Sequence, residues 1–375
     1  MRTFVRALKT LLPILAGSFA LAGTACSGES GGVTDRLASS PDGSNPIPRR
    51  HMTIIAETCS PDGYQLTGLD HPGLKKLTNE LILICPTVRL NGDVVPADPD
   101  ARATLSRTVG LARLNGYKVR IAVTMGDDLV SFPIPYSTAR SSKALQDPSW
   151  RAKVIEGLAE FAAMADGLEI DFLNLPDTSR SAVTELFIGL DKRYRPNTHI
   201  GVMAPPSTMD PSDTLGGAAF NLTAISHHVD RIRMMTLDYS CCGQGGGPSI
   251  DGGWAVDVAR YGKSKAGNVP VDIAFPLYGT DFSDLGERFI DYTDGHAIAD
   301  VFGVVPERSI GGELNFRWVD AAGHEHETWY PDAITASRVL GAWDTNVVPA
   351  DVGVVLYGLG AEDPALFSTL ARGLP

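Results

Sequence analysis

Two carboxylates stand close together in the segment Asp166-Gly167-Leu168-Glu169-Ile170-Asp171-Phe172-Leu173-Asn174-Leu175-Pro176. Its apolar and branched residues read as a strand, in which alternate side chains share a face. Glu169, Asp171 and Leu173 then point one way, and Leu168, Ile170 and Phe172 the other. Two acids on an inward face are costly as structure alone, because a buried carboxylate needs a partner or a shifted pKa. The chemistry open to such a pair is proton transfer or the orientation of a polar ligand. The structural alternative is that core hydrogen bonds or water satisfy both.

The elements that must carry these acids alternate along the chain. Apolar, β-branched runs occur at 52–56, 81–85, 119–123, 168–173, 199–203, 232–237, 271–277 and 352–357. Helical spacing fills 101–115, 148–165, 181–193 and 332–342. The helix from 148 has Asp147 as N-cap and Pro148 at its first position, and Val154, Ile155, Leu158, Phe161, Ala162 and Ala165 recur on one face. Eight strands interleaved with helices predict an α/β fold, a closed (β/α)8 TIM barrel. No GxGxxG turn follows the first strand, so a dinucleotide fold lacks support. Residues 280–331 break the rhythm and read as a small α+β insertion between strands 7 and 8. They include a hairpin, 313–319 and 324–330, joined by Asp320-Ala321-Ala322-Gly323. Tyr278 and Tyr357 stand at the ends of strands 7 and 8, and Tyr239 and Trp254 beside the loop after strand 6. These aromatics could floor a ligand site or pack in the core with bonded hydroxyls.

Composition limits the function classes. The 375 residues carry 44 acidic and 32 basic side chains, a formal net charge of −12, which argues against nucleic-acid binding. With 43% hydrophobic and 20% charged residues, the chain belongs with globular proteins rather than disordered or collagenous ones. Arg2, Arg6 and Lys9 precede an apolar run over 11–23, the pattern of a secretory signal. Leu21-Ala22-Gly23-Thr24-Ala25-Cys26 resembles a bacterial lipobox with Cys26 as the lipidated residue, and simple cleavage after Ala25 is the alternative. Residues 27–50 are rich in Ser, Gly and Pro and read as a flexible linker to a folded domain at 51–375. The expected location is the bacterial cell envelope, as a periplasmic or surface lipoprotein, or the exterior as a secreted protein.

Cys59, Cys85, Cys241 and Cys242 remain, an even number in an exported chain. Cys59 follows the first strand and Cys85 ends the second, so a bond between them is geometrically sound. Cys241 and Cys242 are adjacent, and cross-pairing stays open because four cysteines allow three connectivities. No CxxC or CxH spacing supports a metal site, and no cofactor motif is present. His324 and His326 share a face of the hairpin, as metal ligands or, more commonly, as solvated strand surface. No GxSxG elbow supports a serine hydrolase.

Four segments, in order, resemble glycoside hydrolase family 18, the chitinase and chitinase-like superfamily. Residues 166–176 look like the family's Asp-Gly-x-Asp-x-Asp-x-Glu motif on the fourth strand. Met234-Met235-Thr236-Leu237-Asp238-Tyr239 is similar to the sixth-strand Met-x-Tyr-Asp segment. Ala274-Phe275-Pro276-Leu277-Tyr278-Gly279 resembles the seventh-strand Pro-Phe-Tyr-Gly segment, and Gly353-Val354-Val355-Leu356-Tyr357-Gly358-Leu359-Gly360 the eighth strand, which often ends in Trp at the place of Tyr357. The resemblance spans about 51–375, and the 280–331 insertion falls where many members carry an α+β subdomain.

The resemblance implies substrate-assisted hydrolysis, in which a glutamic acid protonates the leaving oxygen while a neighbouring Asp orients the sugar's acetamido group. Here Leu173 occupies the acid's position, and Leu237 that of the Tyr that bonds the acetamido carbonyl. Asp171 and Asp238 are the catalytic positions that remain; Glu169, Tyr239, Tyr278 and Tyr357 are the expected ligand contacts. Losing a general acid costs about 10²–10⁴ in rate. The expectation is therefore an exported, monomeric chitinase-like protein that binds N-acetylglucosamine-containing glycans and turns them over poorly or not at all. An active hydrolase of chitin, peptidoglycan or an N-glycan core, using a displaced acid, is the alternative. A lipoprotein that presents its barrel mouth to a protein partner is another.

Overall fold

The computed structural model describes residues 50–57, 68–96, 101–125, 138–210, 212, 216–241, 245–344 and 348–372. Strands β1 (Met52–Glu57) and β2 (Glu80–Val88) run parallel, and β3 (Val94–Pro96) folds back antiparallel on the end of β2. The parallel series continues through β4 (Lys118–Met125), β5 (Gly167–Asp171), β6 (His199–Ala204), β7 (Arg231–Met234) and β8 (Val271–Pro276). Five further strands, β9 (Gly279–Ser283), β10 (Gly286–Ile290), β11 (Glu307–Arg308), β12 (Leu314–Val319) and β13 (Glu325–Tyr330), form a separate antiparallel sheet. Then β14 (Gly353–Tyr357) pairs with β8 on one side and β1 on the other, closing an eight-stranded parallel barrel. The helix Tyr292–Phe302 lies within the separate sheet's segment, and Ala299 packs with Phe316 and Tyr330 of that sheet.

Strand alternation separates two environments. Leu168, Ile170 and Phe172 join the large core between barrel and helices, while Glu169 turns inward. Helices form where apolar spacing and caps agree. Asp147 accepts the Ser149 N–H ahead of Pro148, and Asp332 and Thr335 make a reciprocal capping box for the helix Ala333–Ala342. The expected helix over 148–165 is two pieces, Pro148–Gly157 and Ala159–Met164. Gly157 lies where a Cβ would meet Val94 Cγ2 at 2.9 Å, so this turn can sit on β3 only without a side chain.

The barrel interior is layered. At its N-terminal end lies a charged floor: Arg233 donates to Glu169 (3.1 Å), Thr53 (3.2 Å) and Asp272, and Arg120 donates to Glu169 and Glu80 (3.1 Å each). Burial opposes the Glu169 charge, yet Arg233 and Arg120 hold its carboxyl below the usual range. A Cβ on Gly201 would collide with that carboxylate, so the β6 backbone closes over it. Above the floor is an apolar layer of Ile55, Ile82, Ala122, Met203, Ala274 and Val355. No helix among the described residues is long and apolar enough to cross a membrane.

Candidate functional site

The C-terminal end of a parallel barrel is where side chains from several strands converge. Tyr357 ends β14 in register with Ile55 and Pro276, and Tyr278 stands two residues past the end of β8. Their rings meet edge to face, 6.0 Å apart at 69°, and Phe289 of β10 packs on Tyr278 at 5.1 Å and 85°. Both tyrosines are buried against the apolar layer, so they form the bottom of the mouth rather than standing out from it.

The Tyr278 hydroxyl donates to Asp238 Oδ1 at 2.7 Å. Asp238 sits beyond the end of β7, because the strand stops at Met234, earlier than the expected 237. Backbone turns from Thr236 to Met234 (2.9 Å) and Leu237 to Met235 (2.8 Å) lift the chain off the sheet, and Asp238 takes φ 53°. A left-handed conformation at a non-glycine residue is uncommon and is held by surrounding structure. Burial pushes the Asp238 carboxyl up to about 6, with the Tyr278 hydrogen bond opposing and the Glu287 charge adding. Leu237 and Phe289 each pack, partly buried, against the apolar layer.

On the other side, Asp171 ends β5 beside Thr124 of β4 and is buried. The strand stops there, two residues short of the expected end, and Leu173 lies past it, half-buried. Asn174 turns left-handed at φ 55°. This is a bent strand end, but Asp177 leaves it as an exposed residue that caps its own turn by accepting the Thr178 N–H (2.8 Å).

Two of the expected ligand contacts stand apart from Tyr278 and Tyr357. Glu169 belongs to the charged floor rather than to the mouth: both its neighbours are guanidiniums and its side chain is wholly buried. Tyr239 is 38% exposed and packs, tilted at 54°, on Trp254 at 5.2 Å, at the head of the helix Gly252–Lys265, instead of joining Tyr278 and Tyr357. His326 stacks on Trp318 at 3.9 Å and pairs with Asp281 (2.9 Å), and His324 pairs with Asp284 (2.9 Å), so each histidine has its own carboxylate. Among the described residues no group of three or more metal-ligating side chains gathers. Cys85 and Cys241 are each disulfide-bonded. Cys26, Cys59 and Cys242 lie outside the described residues.

Phe289 and Glu287 were not legible as mouth residues. They share one face of β10, and cross-strand pairing aligns Glu287 with Phe282, Glu327 and Arg317 in a row. The hairpin Gly279–Ile290 carries only a weak local signal, with Gly286 as its turn glycine at φ 123°.

No family model matches the chain, and neither does any curated protein. Solved structures do. The spore cortex-lytic enzyme SleL of Bacillus cereus aligns over 87% of this chain and 75% of its own, with 16% identity and a TM-score of 0.70. A chitinase from Chromobacterium violaceum aligns over 86% of this chain and 98% of its own, with 18% identity and a TM-score of 0.68. A class V chitinase from Nicotiana tobaccum, in complex with NAG4, aligns over 86% and 98%, with 9% identity and a TM-score of 0.66. The barrel has the chitinase-like fold of glycoside hydrolase family 18.

Proposed function

We propose that this chain is an exported chitinase-like protein that binds N-acetylglucosamine-containing glycans at the barrel mouth and hydrolyses them weakly or not at all. The observation that carries this reading is Leu173 just past the end of β5, where the resemblance calls for an acid, while Asp171, Asp238, Tyr278 and Tyr357 remain. A leucine has no proton to give, and Leu237 takes away a second polar partner. The remaining groups suit binding: aromatic faces and a few oriented acceptors in a concave, mostly apolar setting. That a chitinase of the same fold was captured with NAG4 supports the ligand class. Lipidation at Cys26 and the 59–85 and 241–242 disulfides belong to the same proposal, as features of an exported envelope protein.

The raised Asp238 carboxyl favours a second reading, a hydrolase with a displaced acid, because a group near 6 can hold a proton at working pH. One experiment separates them. The purified chain is mixed with chito-oligosaccharides of increasing length; calorimetry reads binding and chromatography of the same samples reads cleavage. Binding with intact oligosaccharide supports the first reading, and cleavage supports the second. Neither binding nor cleavage would overturn both.

A further inference from the structure

The antiparallel sheet turns its two faces to different surroundings. On one, Tyr330 of β13 packs with Ile290, Phe316 and Ala299 of the helix Tyr292–Phe302. Alternation sends Glu327 and Trp329 of the same strand to the other face. Register sets Trp329 opposite Thr280 of β9, and Thr280 opposite Phe289 of β10, so the three form one row. Phe289 packs on Tyr278 at 5.1 Å, which turns this face to the barrel mouth. Glu287, two residues before Phe289 on that face, is near enough for its charge to raise Asp238.

Trp329 differs from the other four tryptophans of the chain. Trp150 and Trp343 lie in the core, Trp254 packs against that core and Tyr239, and Trp318 meets Phe302 and His326. Trp329 is half-buried, yet among the described residues its ring meets no other aromatic ring and joins no core cluster. Its tether is polar. Nε1 donates to Glu327 Oε1 at 2.7 Å, and Arg317 donates to Glu327 Oε2 at 2.9 Å. The indole is thus held by its edge, and a large apolar ring left in water is unfavourable until something covers it.

We infer that Trp329 is a second sugar platform of the mouth, on which a pyranose ring of a bound oligosaccharide stacks, and that Glu327 is its positioning residue. An N-acetylglucosamine ring carries its substituents equatorially, so each face is a flat patch of C–H groups that suits an indole. Two strand spacings, about 10 Å, separate the backbone of Trp329 from that of Phe289 beside the Tyr278 floor. A single sugar on the floor covers one platform; an oligosaccharide spans both. The inference rests on the glycan-binding reading and adds to it a dependence on ligand length.

The test compares the dimer and the hexamer of N-acetylglucosamine as ligands of the full chain, by calorimetry and tryptophan fluorescence. The hexamer should bind the wild type more tightly than the dimer and blue-shift its emission as the indole leaves water. Trp329→Ala should lower hexamer affinity about 10-fold, leave dimer affinity unchanged and remove most of the shift. Its thermal unfolding midpoint should stay with the wild type, because the ring belongs to no core cluster. Glu327→Ala unties the indole and should cost about 3-fold in hexamer affinity, with no further loss in the double variant with Trp329→Ala. Hexamer affinity that Trp329→Ala leaves unchanged, an equal loss for dimer and hexamer, or a large fall in the midpoint would each overturn the platform and leave the glycan reading standing. Additive losses in the double variant would overturn the role of Glu327. A wild type that binds neither oligosaccharide removes the glycan reading and the platform together.

Discussion

Tyr278 and Asp238 lie past the ends of two different strands and meet at 2.7 Å, hydroxyl to carboxylate, at the bottom of the barrel mouth. The pair couples an aromatic surface to a titrating acid. Binding that uses the Asp238 carboxylate should be present above its value of about 6 and decline as pH falls through it. Tyr278→Phe removes the bond that opposes the upward shift. Hydrogen bonds to charged groups are worth about 1.5–3 kcal/mol, so the midpoint should climb by about 1–2 units. Calorimetric titration of oligosaccharide across this range checks both statements, and an unmoved midpoint would refute the coupling.

Leu173→Glu should restore trace chitin-oligosaccharide cleavage, and the double variant with Leu237→Tyr should exceed it. A general acid contributes about 10²–10⁴ in rate, so even partial recovery is measurable by product chromatography. No cleavage in the double variant would mean that the rest of the subsite has also diverged.

Arg233 is wholly buried between Glu169 and Asp272. Arg233→Met takes one guanidinium from each buried carboxylate, leaving Glu169 with Arg120 and Asp272 with Arg231, and should cost about 3 kcal/mol in urea unfolding. Both acids have depressed values in the folded state, so the stability they lend is present above their unfolded pKa values. It is lost as pH falls through the still lower folded values. The unfolding midpoint of the wild type should therefore sag in acid, and the variant should show a smaller sag.

Two glycine substitutions should move stability in opposite directions. Gly201→Ala drives a methyl into the Glu169 carboxylate and should cost about 1–3 kcal/mol. Gly110, inside the helix Ala101–Leu114, has nothing within 4 Å of a new Cβ, so Gly110→Ala should gain about 0.5–1 kcal/mol. Thermal unfolding of the two variants side by side provides the check; equal shifts would refute the packing argument.

Much of the barrel was legible because its signals are local. Alternation put Leu168, Ile170 and Phe172 outside and Glu169 inside, and runs of branched residues marked all eight strands. Strand ends were less legible. Asn174 and Asp238 turn left-handed, and nothing in an apolar run announces where its ladder stops. That is why Leu173 and Leu237 read as strand residues yet lie past strand ends.

The sequence by itself determined the alternation of strand and helix and the acids that face inward. Those follow from periods of two and 3.6 residues, which depend only on neighbours along the chain. Tertiary structure alone decided what each acid became. Glu169 and Asp171 sit two residues apart on one strand face, yet one is neutralised by Arg120 and Arg233 at the floor while the other ends the strand beneath the mouth. Burial and charge partners come from β4 and β7, far away in sequence, and a carboxylate's role is set by the groups that surround it in space.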